Sequence, residues 1–263
     1  MSENGGWRQR AAIVKQLAVI GGTGIAELEG LVEIARHDIP TPFGTPSAPI
    51  QEGKLEDIRL FFLRRHGPDG STPPHRVNYR ANLWALQSLG AREIVAINAV
   101  GGISSQMQVG CLVVPDQIID YTWGRQHTFD EGSAGPLMHI DFTEPYDGAL
   151  RAALLAAAAS ENIACQNSAV YGATQGPRLE TAAEVRRMAA DGCDLVGMTG
   201  MPEAALAREI DIAYASVCMV VNAAAGLSDT PISLDAMRTI LEQKAATVGQ
   251  LLRTLVRKHC CEP

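Results

Sequence analysis

The chain has 263 residues, 46% of them hydrophobic, with a mean hydropathy near zero and a net charge of −7. That is enough for one large α/β domain or two small ones around a sizeable core, and it argues against disorder. No Lys/Arg run exceeds two residues, which speaks against a broad nucleic-acid surface, and no stretch of about 20 apolar residues is present to span a membrane.

Residues 1–16 carry no apolar segment followed by a cleavage site and read as an N-terminal extension without a secretory signal. LAVIGG (17–22) is a short apolar strand ending in glycines, LVEIARHDI (31–39) alternates as a second strand, and IRLFFLRR (58–65) is a third. VNYRANLWALQSLG (77–90) has helical spacing and a closing glycine. EIVAINAVGG (93–102) and CLVVPDQIIDY (111–121) read as strands, and GALRAALLAAAASEN (148–162) as an Ala/Leu-rich helix. SAVYGAT (168–174), ETAAEVRRMAADG (180–192), DLVGM (194–198), PEAALARE (202–209) and IAYASVCMVV (212–221) continue the alternation as strand, helix, strand, helix, strand. A long helix over 232–258 ends it. This order predicts a single α/β domain over 17–263 on a largely parallel or mixed sheet. The six cysteines are scattered, most of them in apolar runs, and read as reduced thiols of a cytoplasmic protein; the adjacent Cys260 and Cys261 have no metal-ligand spacing and fall in the tail.

Ligands of open α/β sheets gather beyond the carboxyl ends of strands. Here those ends are GGTG (21–24), RRHG (64–67), NAVGG (98–102) and GMTGMPE (197–203). GGTG lacks the later glycine of a dinucleotide fingerprint; it is either a plain turn or an anion cradle of backbone N–H groups and the Thr23 hydroxyl. Arg65 offers a planar fork to phosphate beside His66, or else the two arginines are solvated. Met198 reads as core and Thr199 as a helix N-cap or a phosphate ligand. Glu180 opens a helix, where it suits the dipole. Asn222 ends the apolar run MVVN before three alanines, and by pattern alone is a turn residue. Four ends rich in Gly, Thr, Arg and His have the makeup of a phosphate pocket.

In this order, GGTG, RRHG, VNYRANLWAL, NAVGG, HIDFTEPY (139–146), TQGPRLET (174–181), GMTGMPE and the MVVN strand resemble the trimeric purine nucleoside phosphorylases and methylthioadenosine phosphorylases over most of the chain. The resemblance implies a nucleoside phosphorylase fold, a central mixed twisted sheet, partly barrel-like, flanked by helices. It implies a purine nucleoside and inorganic phosphate as co-substrates, no metal or organic cofactor, and a homotrimer whose neighbours complete each site. Thr23, Arg65, His66, Ala99 (through its backbone) and Thr199 would hold phosphate, and Met198 the ribose. Leu179, Glu180 and Asn222 would face the purine, with Asn222 and His66 as catalytic groups. His139 would reach a neighbour's 5′ pocket, beside Leu234 and Met237.

Methylthioadenosine phosphorylases carry Asp where Asn222 and Ala224 stand, and Ser or Thr where Glu180 stands. An ionised Asp accepts from a 6-amino group and opposes a 6-oxo group. An Asn can donate and accept, and Glu180 suits an N1–H donor. The base end therefore implies a 6-oxopurine. The 5′ end, with His139, Leu234 and Met237, resembles the methylthio branch and would leave a 5′-hydroxyl unsatisfied; those two apolar residues could equally just pack their helix. Together they imply 5′-methylthioinosine as substrate, with methylthioadenosine or inosine/guanosine phosphorolysis, hydrolysis, or binding without catalysis as alternatives.

Overall fold

The computed structural model describes residues 16–25, 27–132 and 139–259. Residues 1–15 of the expected extension, part of the Gly124–Pro136 loop, and Cys260 and Cys261 lie outside them.

Among the described residues, eleven strands share one sheet. They are β1 (Leu17–Gly21), β2 (Val32–His37), β3 (Ile50–Leu55), β4 (Ile58–Arg64), β5 (Glu93–Gly102), β6 (Leu112–Val113), β7 (Gln117–Asp120), β8 (Cys165–Gln166), β9 (Val170–Ala173), β10 (Leu195–Gly197) and β11 (Ala213–Ala223). The helices are α1 (Tyr79–Ser88), α2 (Gly148–Ser160), α3 (Ala182–Ala190), α4 (Gly200–Glu209) and α5 (Leu234–His259). One path runs β2-β3-β4-β1-β5-β10-β9-β7, and β11, β6 and β8 branch from β5. The long β5 holds this fork together: β1 and β11 lie parallel to it, and β10 pairs antiparallel with its last two glycines. The sheet is mixed, as expected.

The apolar runs of β1, β5 and β11 are continuous because the middle of the sheet is buried on both faces. Along β1 and β5, Ala18, Ile20, Ile94 and Ala96 join one core with Leu83 and Leu86 of α1 and Leu206 of α4. Leu17, Val19, Val95 and Ile97 join a second core with Leu154 of α2 and Leu251 and Leu255 of α5. Successive side chains alternate between the two, as the period of a strand requires. Between Val220 and Asn222 the pairing of β11 with β5 slips, so that Val220 sits beside Val100 but Asn222 sits beside Gly101.

Three sequence expectations change. The 111–121 run is two strands, β6 and β7, interrupted at Pro115, whose ring nitrogen cannot donate to a ladder. The helix expected from Pro202 begins at Gly200 and has an extended residue, Met201, inside its first turn. β3 and β8 were not anticipated.

Candidate active site

The turns after β1, β4, β9 and β10, the ends of β5 and β11 and the start of α5 enclose one cavity of about 660 Å³. Thr23, Arg65, His66, Ala99, Leu179, Glu180, Met198, Thr199, Asn222, Leu234 and Met237 all line it. His139 does not; it is exposed on this chain.

The GGTG turn lies directly over Arg65. A Cβ at Gly22 would stand 2.3 Å from the Ile97 carbonyl oxygen and 2.9 Å from Arg65 Nη1, so only glycine brings the backbone this close. Arg65 is 1% exposed and is not a solvated surface arginine; Arg64, which reaches Glu27 and the Pro68 carbonyl, has that role. The fork of Arg65 is also not open. Nε and Nη2 donate to the two oxygens of the fully buried Glu203 at 2.8 and 2.7 Å, and Nη1 donates to the Ile97 carbonyl at 3.0 Å. Of five guanidinium protons, one on each Nη is left for an anion. Burial alone would lower the guanidinium pKa; the Glu203 charge and hydrogen bonds outweigh it and hold the group above its ordinary value. Tyr214 Oη adds a third hydrogen bond to the pair by donating to Glu203 at 2.9 Å.

His66 Nδ1 is 2.8 Å from the Thr72 carbonyl oxygen, which can only accept, so Nδ1 carries the proton and Nε2 is the atom that can take or give one. Burial, and then the Arg65 charge, hold this imidazole below 6.5. Thr199 occupies the N-cap of α4 but caps nothing. Its hydroxyl donates to Asn98 Oδ1 at 2.9 Å, and Asn98 Nδ2 donates to Ser216 Oγ at 2.6 Å, a buried chain running inward from the cavity.

On the opposite wall, Glu180 precedes α3 and is not part of its first turn. Thr181 caps that helix in a capping box with Glu184, so the dipole role belongs to Glu184. Glu180 instead accepts from the Thr174 hydroxyl at 2.6 Å. Asn222 is inside β11, not in a turn, and its Nδ2 donates to the Ala223 carbonyl at 2.7 Å, leaving one amide proton and Oδ1. Ala224 is buried in a small cluster with Val185, Met188, Cys193 and Val196, outside the cavity lining. At the mouth, Leu234 is 74% exposed and so does not pack its helix, whereas Met237 packs against the second core.

The reading of the sequence missed Asn98, Glu203 and Thr174. Asn98 had a signal, as a lone amide within a buried apolar strand; Thr174 and Glu203 stand at the edges of TQGPRLET and GMTGMPE with no periodicity or charge pattern that singles them out.

Such an arrangement can hold an anion between backbone amides, hydroxyls and an internally neutralised guanidinium, beside a base-sized wall carrying one amide and one carboxylate. Residues 16–257 match the family described as the phosphorylase superfamily. The chain is 50% identical over 241 residues to a protein of Pseudomonas syringae pv. tomato described as a probable S-methyl-5′-thioinosine phosphorylase, covering 89% of this chain and 97% of that one. It is 40% identical over 243 residues to a 6-oxopurine nucleoside phosphorylase of Pyrococcus furiosus, covering 90% of each. The methylthioadenosine phosphorylase of Schistosoma mansoni, solved with adenine, superposes with a TM-score of 0.90 at 30% identity, over 94% of this chain and 93% of that one.

Proposed function

The chain belongs to the phosphorylase superfamily, and from that premise we propose that it is a purine nucleoside phosphorylase cleaving 5′-methylthioinosine with inorganic phosphate, to hypoxanthine and 5-methylthioribose 1-phosphate. The observation that carries this reading is the cavity in which Asn222 and Glu180 stand with Thr23, Arg65, His66 and Thr199, and which Leu234 and Met237 line at the mouth.

In this reaction the C1′–N9 bond breaks and its electron pair passes to the purine. An oxygen of phosphate bonds to C1′, and the departing base takes up one proton. The anion beside the sugar stabilises the positive charge that develops there and is already placed to attack. Thr23, Ala99 N–H, Arg65 and Thr199 hold the phosphate, and His66 takes or gives its proton. Met198 packs on the ribose and Leu179 on the base. The remaining Asn222 amide proton meets charge on the leaving purine, and Glu180 accepts from N1–H. No cofactor or metal has a part in these steps. An Asn/Glu pair favours a 6-oxo base because a 6-amino base would leave buried polar groups unpaired.

A homotrimer suits the position of His139, exposed here and free to complete a neighbour's 5′ pocket. A cytoplasmic setting suits the free thiols of Cys111, Cys165, Cys193 and Cys218. No helix among the described residues is long and apolar enough to cross a membrane. We read 17–263 as one domain.

A second reading, inosine or guanosine phosphorolysis, is favoured by Asp235, Arg238 and Glu242, which line the cavity close to Leu234 and Met237 and bring polar groups to its mouth. The test is kcat/KM for methylthioinosine, methylthioadenosine and inosine, each with and without phosphate. Faster turnover of methylthioadenosine defeats the base argument, faster turnover of inosine favours the second reading, and turnover without phosphate makes the protein a hydrolase.

A further inference from the structure

Arg125 lies in the loop after β7, outside the cavity lining and half-buried. Its guanidinium meets six acceptors. Nε donates to Gln175 Oε1 at 3.2 Å, and Nη2 donates to the carbonyls of Thr174 and Gln175 at 3.1 and 2.8 Å. Nη1 is shared among the Met198 carbonyl at 2.8 Å, the Met201 carbonyl and the Tyr79 hydroxyl at 3.2 Å.

Four of these acceptors are backbone carbonyls, and they come from two turns. β9 and β10 are parallel neighbours with Ala173 beside Gly197, so their chains leave the sheet side by side. The first then runs from Thr174 to Glu180, and the second carries Met198 and Thr199. Beyond the strand ends the Thr174, Gln175 and Met198 carbonyls have no ladder partner. Met201, at φ −117° and ψ 141°, is an extended residue within α4, just ahead of Pro202. Buried backbone carbonyls need a donor, and one planar cation supplies it to both turns at once.

We propose that Arg125 is a positioning residue that sets the spacing of the two cavity walls, the one bearing Glu180 and the one bearing Met198 and Thr199. This rests on the cavity being the substrate site. The loop has anchors besides Arg125: Thr128 and the Phe129 N–H bond Glu209, Arg80 holds Glu131 and the Thr128 carbonyl, and Phe129 packs on Phe43. Its attachment therefore survives when Arg125 is changed. A lysine there has three N–H donors on one point and cannot span four diverging carbonyls.

The test compares wild type, Arg125→Lys and Arg125→Ala. In Arg125→Lys, kcat/KM for the nucleoside falls roughly 100-fold, mostly through kcat, as a misplacement of about 1 Å would cause. The preference for 6-oxo over 6-amino bases narrows with it. Guanidinium ion at low millimolar concentration, and not methylammonium, restores part of the activity of Arg125→Ala. Crystal structures of wild type and Arg125→Lys read the Glu180–Thr199 separation directly. An unchanged separation, wild-type kinetics in Arg125→Lys, or equal rescue by methylammonium overturns the proposal. If wild type itself releases no base with phosphate, the functional reading fails, while the crystallographic comparison still decides the role of Arg125.

Discussion

Thr199 gives its only hydroxyl proton to Asn98 Oδ1, 2.9 Å away and buried. In that orientation Thr199 shows an incoming anion nothing but lone pairs. If the Asn98 amide turns over, its Nδ2 donates to Thr199 and the hydroxyl proton is released toward the cavity. On the proposed reading, phosphate binding is thus tied to the state of a side chain that does not need to touch it. Asn98→Asp, the same size but unable to donate, fixes the proton inward and adds a negative charge. Its KM for phosphate rises tenfold or more, a change of about 1.4 kcal/mol, with a smaller change in KM for the nucleoside. Initial rates with each substrate varied check this; equal effects on the two constants refute it.

His66 makes stability depend on pH. Its folded pKa lies below 6.5 because burial, and then Arg65, oppose the charged ring. Between the folded and unfolded values the unfolded chain binds a proton that the folded chain refuses, so stability rises with pH across that window. The contribution is present above about 6.5 and is lost as pH falls through the interval below it. His66→Asn, which keeps a donor for the Thr72 carbonyl, shows a shallower acid-side fall in Tm. Superimposable Tm–pH curves would exclude this role.

The Arg65–Glu203 pair is fully buried, and breaking such a pair leaves an uncompensated charge. Glu203→Gln lowers stability by about 3–5 kcal/mol in denaturant titrations. Phosphate, now able to take the released fork, raises the Tm of this variant more than that of wild type. A smaller phosphate-induced rise than in wild type would show that Arg65 does not face the anion.

Asn222→Asp exchanges an amide that both donates and accepts for a carboxylate that only accepts. The ratio of kcat/KM for methylthioinosine over methylthioadenosine falls by about 100-fold or more, since unpaired buried hydrogen-bonding groups discriminate strongly. Paired assays of the two nucleosides measure it, and an unaltered ratio would mean that Asn222 does not read the base.

β1, β5 and β11 were legible because burial on both faces makes each a continuous apolar run. β3 was hidden by its own composition. Glu52 within it is 8% exposed, and its carboxylate is held by Arg59 at 2.6 Å and His37 at 2.7 Å. Those partners make a polar strand tolerable in a sheet but leave no mark in a hydrophobic pattern. At the cavity, glycine marks a strand end because backbone comes close there, as Gly22 does to the Ile97 carbonyl, while Thr and His stand out as polar side chains closing apolar runs. Glu203 and Arg125 could not be read this way. One pairs with a residue 138 positions distant, and the other bonds mainly to backbone carbonyls, which every residue type has.

The slip in β11 before Asn222 turns a count of residues into a direction. Paired residues of neighbouring strands face the same side, so the slip absorbs the extra residue Val221 and Asn222 keeps the facing of Gly101. Loss of Val221 would make the pairing regular and leave the amide facing as it does, whereas one further residue between Val221 and Asn222, if not absorbed in the same way, would turn it to the opposite face.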